Sequence, residues 1–216
     1  MEVAVKAVFR PLALFLLPLF VLALSAFGGA GAARAADSYP IDQTMGKADA
    51  PVTIVEYASL TCPHCAHFEE NTLPKVKAEW IDTGKAKLIF RDFPTGPVGP
   101  SLAASMVAHC AGPERYFGVL DLLFRTQEKW IDARSPVEEI KRIVAVAGIR
   151  PEQVEACLQR QDLLNAIQAR ADAANKTYNI DSTPTLMING QIYPGALSYD
   201  DLKPKLEDAY RAATGK

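Results

Sequence analysis

Val52-Thr53-Ile54-Val55-Glu56-Tyr57-Ala58-Ser59-Leu60-Thr61-Cys62-Pro63-His64-Cys65 decides how this 216-residue chain is read. Its first half is rich in β-branched and aromatic residues, which fit a pleated, buried strand. Its second half opens a helix. Pro63 stands where a first helical residue would, because its missing N–H has no intrahelical acceptor there. Cys62 then falls at or beside the N-cap, and Cys65 lies one turn further on the same face. Unpaired backbone N–H groups and the positive end of the helix dipole point at Cys62, and both favour a thiolate over a thiol.

A thiolate with a second sulfur three residues on is the minimal set of parts for disulfide exchange. Cys62 is expected to be the exposed, attacked sulfur and Cys65 the more buried one that resolves the mixed disulfide. His64 adds a donor within reach of the Cys62 sulfur and, when protonated, a charge. A pair whose reduced form is stabilised in this way gives its disulfide away. The competing reading of a C-x-x-C pair is half a zinc site. Cys110 and Cys157 are single and far apart; His67 could join Cys62 and Cys65, but it sits inside the helix and no fourth ligand is evident. No metal or organic cofactor is therefore expected, and His67 and His109 read as ordinary helix residues.

Residues 1–35 read as a signal peptide rather than fold. Lys6 and Arg10 precede an apolar run from about Leu12 to Phe27, and Ala33-Arg34-Ala35 offers a cleavage site. An uncleaved anchor is the alternative, but Pro18 interrupts the run and it falls short of the roughly 20 residues a spanning helix needs. With no cysteine before Cys62 there is no lipoprotein signal, and no Arg-Arg pair suggests twin-arginine export. The expected mature chain, 36–216, is a single domain in the periplasm with no stable membrane anchor. It carries 20 basic and 24 acidic residues, a net charge of −4. Without a basic cluster, nucleic acid is excluded as a partner class.

Along the mature chain, Asp37 to Pro51 reads as a loop with at most one short strand. Phe68, Leu73, Val76 and Trp80 mark the apolar face of the Cys helix, which Pro74 breaks or kinks near Glu70. Gly84 ends it, and Lys87-Leu88-Ile89-Phe90 is a second strand. Strand, helix, strand implies a parallel βαβ unit. Phe93 to Pro100 is a Pro- and Gly-rich break. From Ser101 to Tyr178 helical spacing predicts four or five helices, one of them opened by a capping box at Ser135-Pro136-Val137-Glu138. Strands return at Thr185–Ile188 and Gln191–Tyr193, joined by Asn189-Gly190, a strong hairpin signal. Ser198 then caps a last helix with a buried stripe of Leu202, Leu206, Ala209 and Ala213.

This order, with C-P-H-C at a helix start and Thr183-Pro184 directly before a hairpin, resembles an α/β thioredoxin fold with a helical insertion at about 98–178. The insertion lies between the second strand of the βαβ unit and the hairpin. More narrowly the chain resembles the DsbA family of secreted thiol:disulfide oxidoreductases, over nearly all of its mature length. Phe68 matches an aromatic that follows the cysteine motif in that family. The resemblance implies that Pro184 is cis and faces Cys62 and Cys65, and that Thr183 offers backbone groups to a bound substrate strand. Many DsbA relatives carry Val where this chain has Thr183. It also implies a buried acid at Glu56, six residues before Cys62, expected to move protons to or from Cys65. The alternative is a strand-end acid facing solvent.

Cys110 and Cys157 each lie on an apolar helical stripe. Two buried free cysteines are one reading. A structural disulfide is the preferred one in an oxidising compartment, and closing so long a loop stabilises by roughly 4 kcal/mol in the chain-entropy model.

The expected function is a monomeric oxidase that passes the Cys62–Cys65 disulfide to unfolded exported proteins with free thiols. The resemblance implies reoxidation by a DsbB-like, quinone-linked membrane protein. An isomerase or reductase of the same fold is the nearest alternative, although the span between Ala35 and Pro51 is short for the oligomerisation segment such proteins add. A peptide-binding holdase belongs to a different class and has no need of Cys62, His64 and Cys65.

Overall fold

The computed structural model describes residues 42–215; the expected leader lies outside them. Strand β1 (Gln43–Met45) is followed by β2 (Val52–Ala58), α1 (Pro63–Asn71) and α2 (Leu73–Val76), the last running into a π-helical turn (Lys77–Ile81). Next come β3 (Ala86–Asp92) and the helices α3 (Val98–Cys110), α4 (Pro113–Arg125), α5 (Gln127–Ile131) and α6 (Pro136–Val144). A 3-10 turn, Ala145–Ala147, extends α6 and precedes α7 (Pro151–Leu158) and α8 (Gln161–Tyr178). The described chain closes with β4 (Thr185–Ile188), β5 (Gln191–Pro194) and α9 (Tyr199–Thr214).

The sheet order is β1-β3-β2-β4-β5, with β2 and β3 parallel and the other pairs antiparallel. Strand β2 is central, its Val55 opposite Ile89 on one side and Met187 on the other. Both of its faces are covered, so it reads as a near-continuous apolar run rather than an alternating one. This is the expected thioredoxin fold, with the helical block inserted between β3 and β4.

Val55, Tyr57 and Met187 cover one face of the sheet with Ala174 of α8, and two apolar clusters share the opposite face, since Leu88 and Phe90 lie two residues apart on β3. One, beneath the insertion, contains Leu60, Phe90, Val107, Leu120, Phe124 and Trp130, and takes in both Cys62 and Cys65. The other packs Ile54, Phe68, Val76, Leu88 and Leu186 against Leu202 and Leu206 of α9. Asp42 anchors the start of the described chain. Its carboxylate accepts from Arg91 Nε and Nη2 at 3.2 and 2.7 Å and lies 3.3 Å from Arg170 Nη1 on α8.

Several local expectations are corrected. The Pro- and Gly-rich break is shorter than read, since α3 begins at Val98, where Pro100 still fits in a first turn that needs no N–H partner. The insertion holds six helices rather than four or five, because the one-turn α5 is too short to show a period. Ser135 is an N-cap with Pro136 behind it, but its side chain makes no capping bond. Ser198 does cap, its Oγ accepting from Asp201 N at 3.2 Å. Ala213 is exposed because the end of α9 passes beyond the packed layer. As Pro74 requires, α1 and α2 are separate, broken at Thr72.

Candidate active site

The turn between β2 and α1 is held mostly by side-chain oxygen atoms and one amide. Ser59 Oγ lies 2.9 Å from Ser101 Oγ on α3 and 3.0 Å from Thr61 Oγ1, and accepts from Thr95 N at 3.1 Å. Gln127 Nε2, on α5, donates to Leu60 O at 2.9 Å and to Cys62 O at 3.0 Å. Cys62 is the N-cap of α1 with φ −86° and ψ 119°, and Pro63 follows as the first helical residue. Cys65 N and Ala66 N both donate to Cys62 O.

Both cysteines are free thiols. Cys62 is more covered than expected, at 8% exposure, but it remains the outer sulfur, Cys65 being at 0%. The Thr183–Pro184 bond is cis, and Cys62 Sγ donates to Thr183 O at 3.4 Å. The loop is braced by Thr185 Oγ1 donating to Ser182 O and by Gly195 N donating to Pro184 O, each at 2.8 Å. Strand ends far apart in sequence thus converge on one sulfur.

The two sulfurs are electrostatically opposite. The Cys62 pKa is lowered from 9.0 to about 5, chiefly by a hydrogen bond from Cys65. Burial opposes this, while the Thr183 side chain and the backbone N–H groups of Cys65 and His64 assist. Cys65 is pushed far above its ordinary value by burial, then by the hydrogen bond to Cys62 and the Cys62 charge. His64 contributes through its backbone N–H. Its ring sits on an exposed residue and is not among the leading causes; the Cys65 side chain supplies the largest part of what the sequence reading assigned to the imidazole.

Glu56 is fully buried in β2 and raises the Cys65 pKa further by its charge. Among the described residues neither of its carboxylate oxygens has a hydrogen-bond partner within ordinary distance. Burial first, and then the Glu69 charge, hold it well above the usual carboxylate range. Glu69 on α1 is pushed up to about 8, again mainly by burial. Two neighbouring buried carboxyls disfavour being charged at the same time. Solvent-facing placement of Glu56, the alternative weighed above, is excluded.

Cys110 and Cys157 are bonded, S–S 2.02 Å, joining α3 to α7. His109 departs from the ordinary helix residue expected. Its Nε2 lies 2.7 Å from Asp92 Oδ2 at the end of β3, with both side chains buried. His67 pairs with Asn71 one turn on. Among the described residues no group of three or more His, Cys, Asp or Glu is placed to hold a metal. Nor is any described helix long and apolar enough to cross a membrane.

Sequence reading missed Glu69 and Gln127. Glu69 had a signal: it follows Cys65 by four residues and so shares the inward face of α1 with Phe68. Gln127 had none, because its partners lie 65 and 67 residues away.

Residues 39–208 match the family model described as thioredoxin. A Rickettsia bellii protein whose name proposes a protein-disulfide oxidoreductase is 30% identical over 150 residues, covering 69% of this chain and 57% of that protein. The chain thus spans under three fifths of that relative's length. Disulfide bond formation protein D of Bacillus subtilis is 28% identical over 169 residues, 76% of this chain and 74% of that one. Among solved structures, alpha-DsbA1 of Wolbachia pipientis is similar with a TM-score of 0.75 at 28% identity, covering 81% of this chain and 93% of that one. BdbD of Bacillus subtilis, TM-score 0.71 at 24% identity, covers 79% and 93% and shows the fold.

Proposed function

Since this chain belongs to the thioredoxin family and is DsbA-like, we propose that it is a thiol:disulfide oxidoreductase that donates a Cys62–Cys65 disulfide to exported proteins. The observation that carries the reading is the opposed pair of sulfurs at one helix start: Cys62 stable as a thiolate, Cys65 as a thiol.

A substrate thiolate attacks Cys62 Sγ of the oxidised pair. The Cys62–Cys65 bond breaks, and its electron pair leaves on Cys65, which takes up a proton. A second substrate thiol, as thiolate, attacks the substrate sulfur of the mixed disulfide and releases Cys62. The substrate is oxidised by two electrons, and the enzyme ends with Cys62 as thiolate and Cys65 as thiol. A leaving thiolate with a low pKa departs readily, so the second step runs forward. Two protons come from the substrate thiols: one goes to Cys65 and one to solvent. Glu56, with Glu69 beside it, is the proposed carrier of the Cys65 proton. Glu56→Gln should lower the exchange rate and flatten its pH profile; an unchanged rate and profile would remove the relay.

Thr183 and cis Pro184 face Cys62 and offer a backbone edge for the substrate chain to add as a strand. The setting proposed is the periplasm, after removal of residues 1–35, with the protein monomeric and a DsbB-like, quinone-linked membrane partner restoring the disulfide. The test is covalent trapping. A Cys65→Ala protein, mixed with a peptide bearing one activated disulfide, should accumulate a mixed disulfide at Cys62. An adduct elsewhere, or none, contradicts the assignment.

A further inference from the structure

The turn that presents Cys62 has one carbonyl served by a single donor from far away in the sequence. Ser59 O accepts from Cys62 N at 3.0 Å, and Cys62 O accepts from Cys65 N and Ala66 N. Leu60 O lies in a residue with 0% exposure and accepts from Gln127 Nε2. The same nitrogen reaches Cys62 O. One amide therefore bridges the carbonyls on both sides of Thr61.

Gln127 is itself buried, at 6% exposure, on the short helix α5. That helix is pinned by Trp130, at 0% exposure, whose Nε1 donates to Leu123 O at 2.9 Å. The amide is thus held at its own end and has little freedom to follow a moving turn. Nothing in the packing of an apolar core calls for a glutamine here, since an apolar residue of the same size would fill the space.

We infer that Gln127 is a positioning residue: it fixes the backbone of Leu60 and Cys62 so that the Cys62 sulfur sits over the N–H groups at the start of α1. The inference rests on the proposed disulfide chemistry and adds to it a residue supplied by the helical insertion. The donors that favour the thiolate are the backbone N–H groups of His64 and Cys65 and the side chains of Cys65 and Thr183, and each acts only within hydrogen-bond range. A turn free to rotate about Leu60 and Cys62 takes the sulfur away from several of them together.

The test uses the full chain. Gln127→Met occupies similar space without a donor and keeps a good helix former. Followed by thiolate absorbance, its Cys62 ionisation should move upward by roughly one pH unit, and its equilibrium constant against glutathione should fall about tenfold toward the reducing side. Cooperative melting should persist. A Gln127→Met protein that melts cooperatively and titrates within about twofold of the parent overturns the proposal. Should that variant fail to fold, Gln127→Asn retains the amide but is one methylene too short to reach both carbonyls. It should move the titration the same way, and an unmoved titration again overturns the proposal. Glu128→Ala, an exposed change on the same helix, should leave Cys62 where it is. The disulfide-donor reading fails separately, if the parent couple proves no more oxidising than glutathione, because Gln127 is judged only on the difference between variant and parent.

Discussion

Reducing the Cys62–Cys65 pair should stabilise the protein by an amount that grows with pH. The folded reduced form holds Cys62 at about 5 against an ordinary 9.0. A depressed folded-state value contributes stability that is complete above pH 9 and is lost as pH falls through 5. At pH 7 about half of that range is realised, worth roughly 2.7 kcal/mol at 1.36 per pH unit. The sulfur lies beside exposed Pro63 and His64, so solvent screening reduces this to about 1–2 kcal/mol. The oxidised form has no thiolate and lacks the contribution altogether. The cross-link also restrains the unfolded oxidised chain, but that offset does not vary with pH, and the buried carboxyls titrate in both forms. The pH dependence of the difference therefore isolates Cys62. The assay is thermal melting of the reduced and oxidised proteins between pH 4 and pH 7. The reduced form should gain roughly 2–8 °C relative to the oxidised form over that range, at 2–4 °C per kcal/mol for a domain of this size. A difference that stays flat, or falls as pH rises, refutes the reasoning.

Glu69→Gln should flatten the pH dependence of stability common to both redox forms. A carboxyl raised from 4.5 to about 8 contributes its stability below pH 4.5 and loses it as pH rises through 8, so melts at pH 5 and pH 8 should differ less in the variant. The expected gain of the variant over the parent at pH 8 is up to about 4 kcal/mol. Replacing Cys110 and Cys157 together by Ser opens a crosslink spanning 47 residues and should cost up to about 4 kcal/mol, read from denaturant unfolding under oxidising conditions. Asp92→Ala leaves the buried His109 ring without its hydrogen-bond partner and should cost about 1–3 kcal/mol by the same measurement.

What could be read in the sequence is what is local. Strand β2, the Pro63 start of α1 and the hairpin at Asn189-Gly190 each carry their signal within a few residues. Asn189 and Gly190 take the positive φ values, 45° and 90°, that such a turn requires. The Cys110–Cys157 bond and the cis bond before Pro184 were reached only by adding the cellular compartment and the family resemblance. The electrostatics of the site were half legible. The position of Cys62 on a helix terminus shows in the chain, but the side chain of His64 received a role that the Cys65 side chain fills first, with Thr183 and backbone N–H groups assisting. The rest is set by contacts between distant segments. The acid pair needs β2 packed against α1, the Asp42, Arg91 and Arg170 set needs α8 against β3, and Gln127 needs α5 beneath the turn. Helix α5 spans five residues, too few to show a period, so the element that holds the turn was missing from the reading.

The most direct measurement is the equilibrium of the Cys62–Cys65 couple against glutathione at pH 7, followed by counting thiols across a series of redox buffers. The couple should stay reduced in buffers that oxidise ordinary protein dithiols, placing it on the oxidising side of glutathione, and the oxidised protein should pass its disulfide to an equimolar dithiol peptide. A couple on the reducing side, with the disulfide retained in the presence of that peptide, would contradict the account and make the protein a reductase or isomerase.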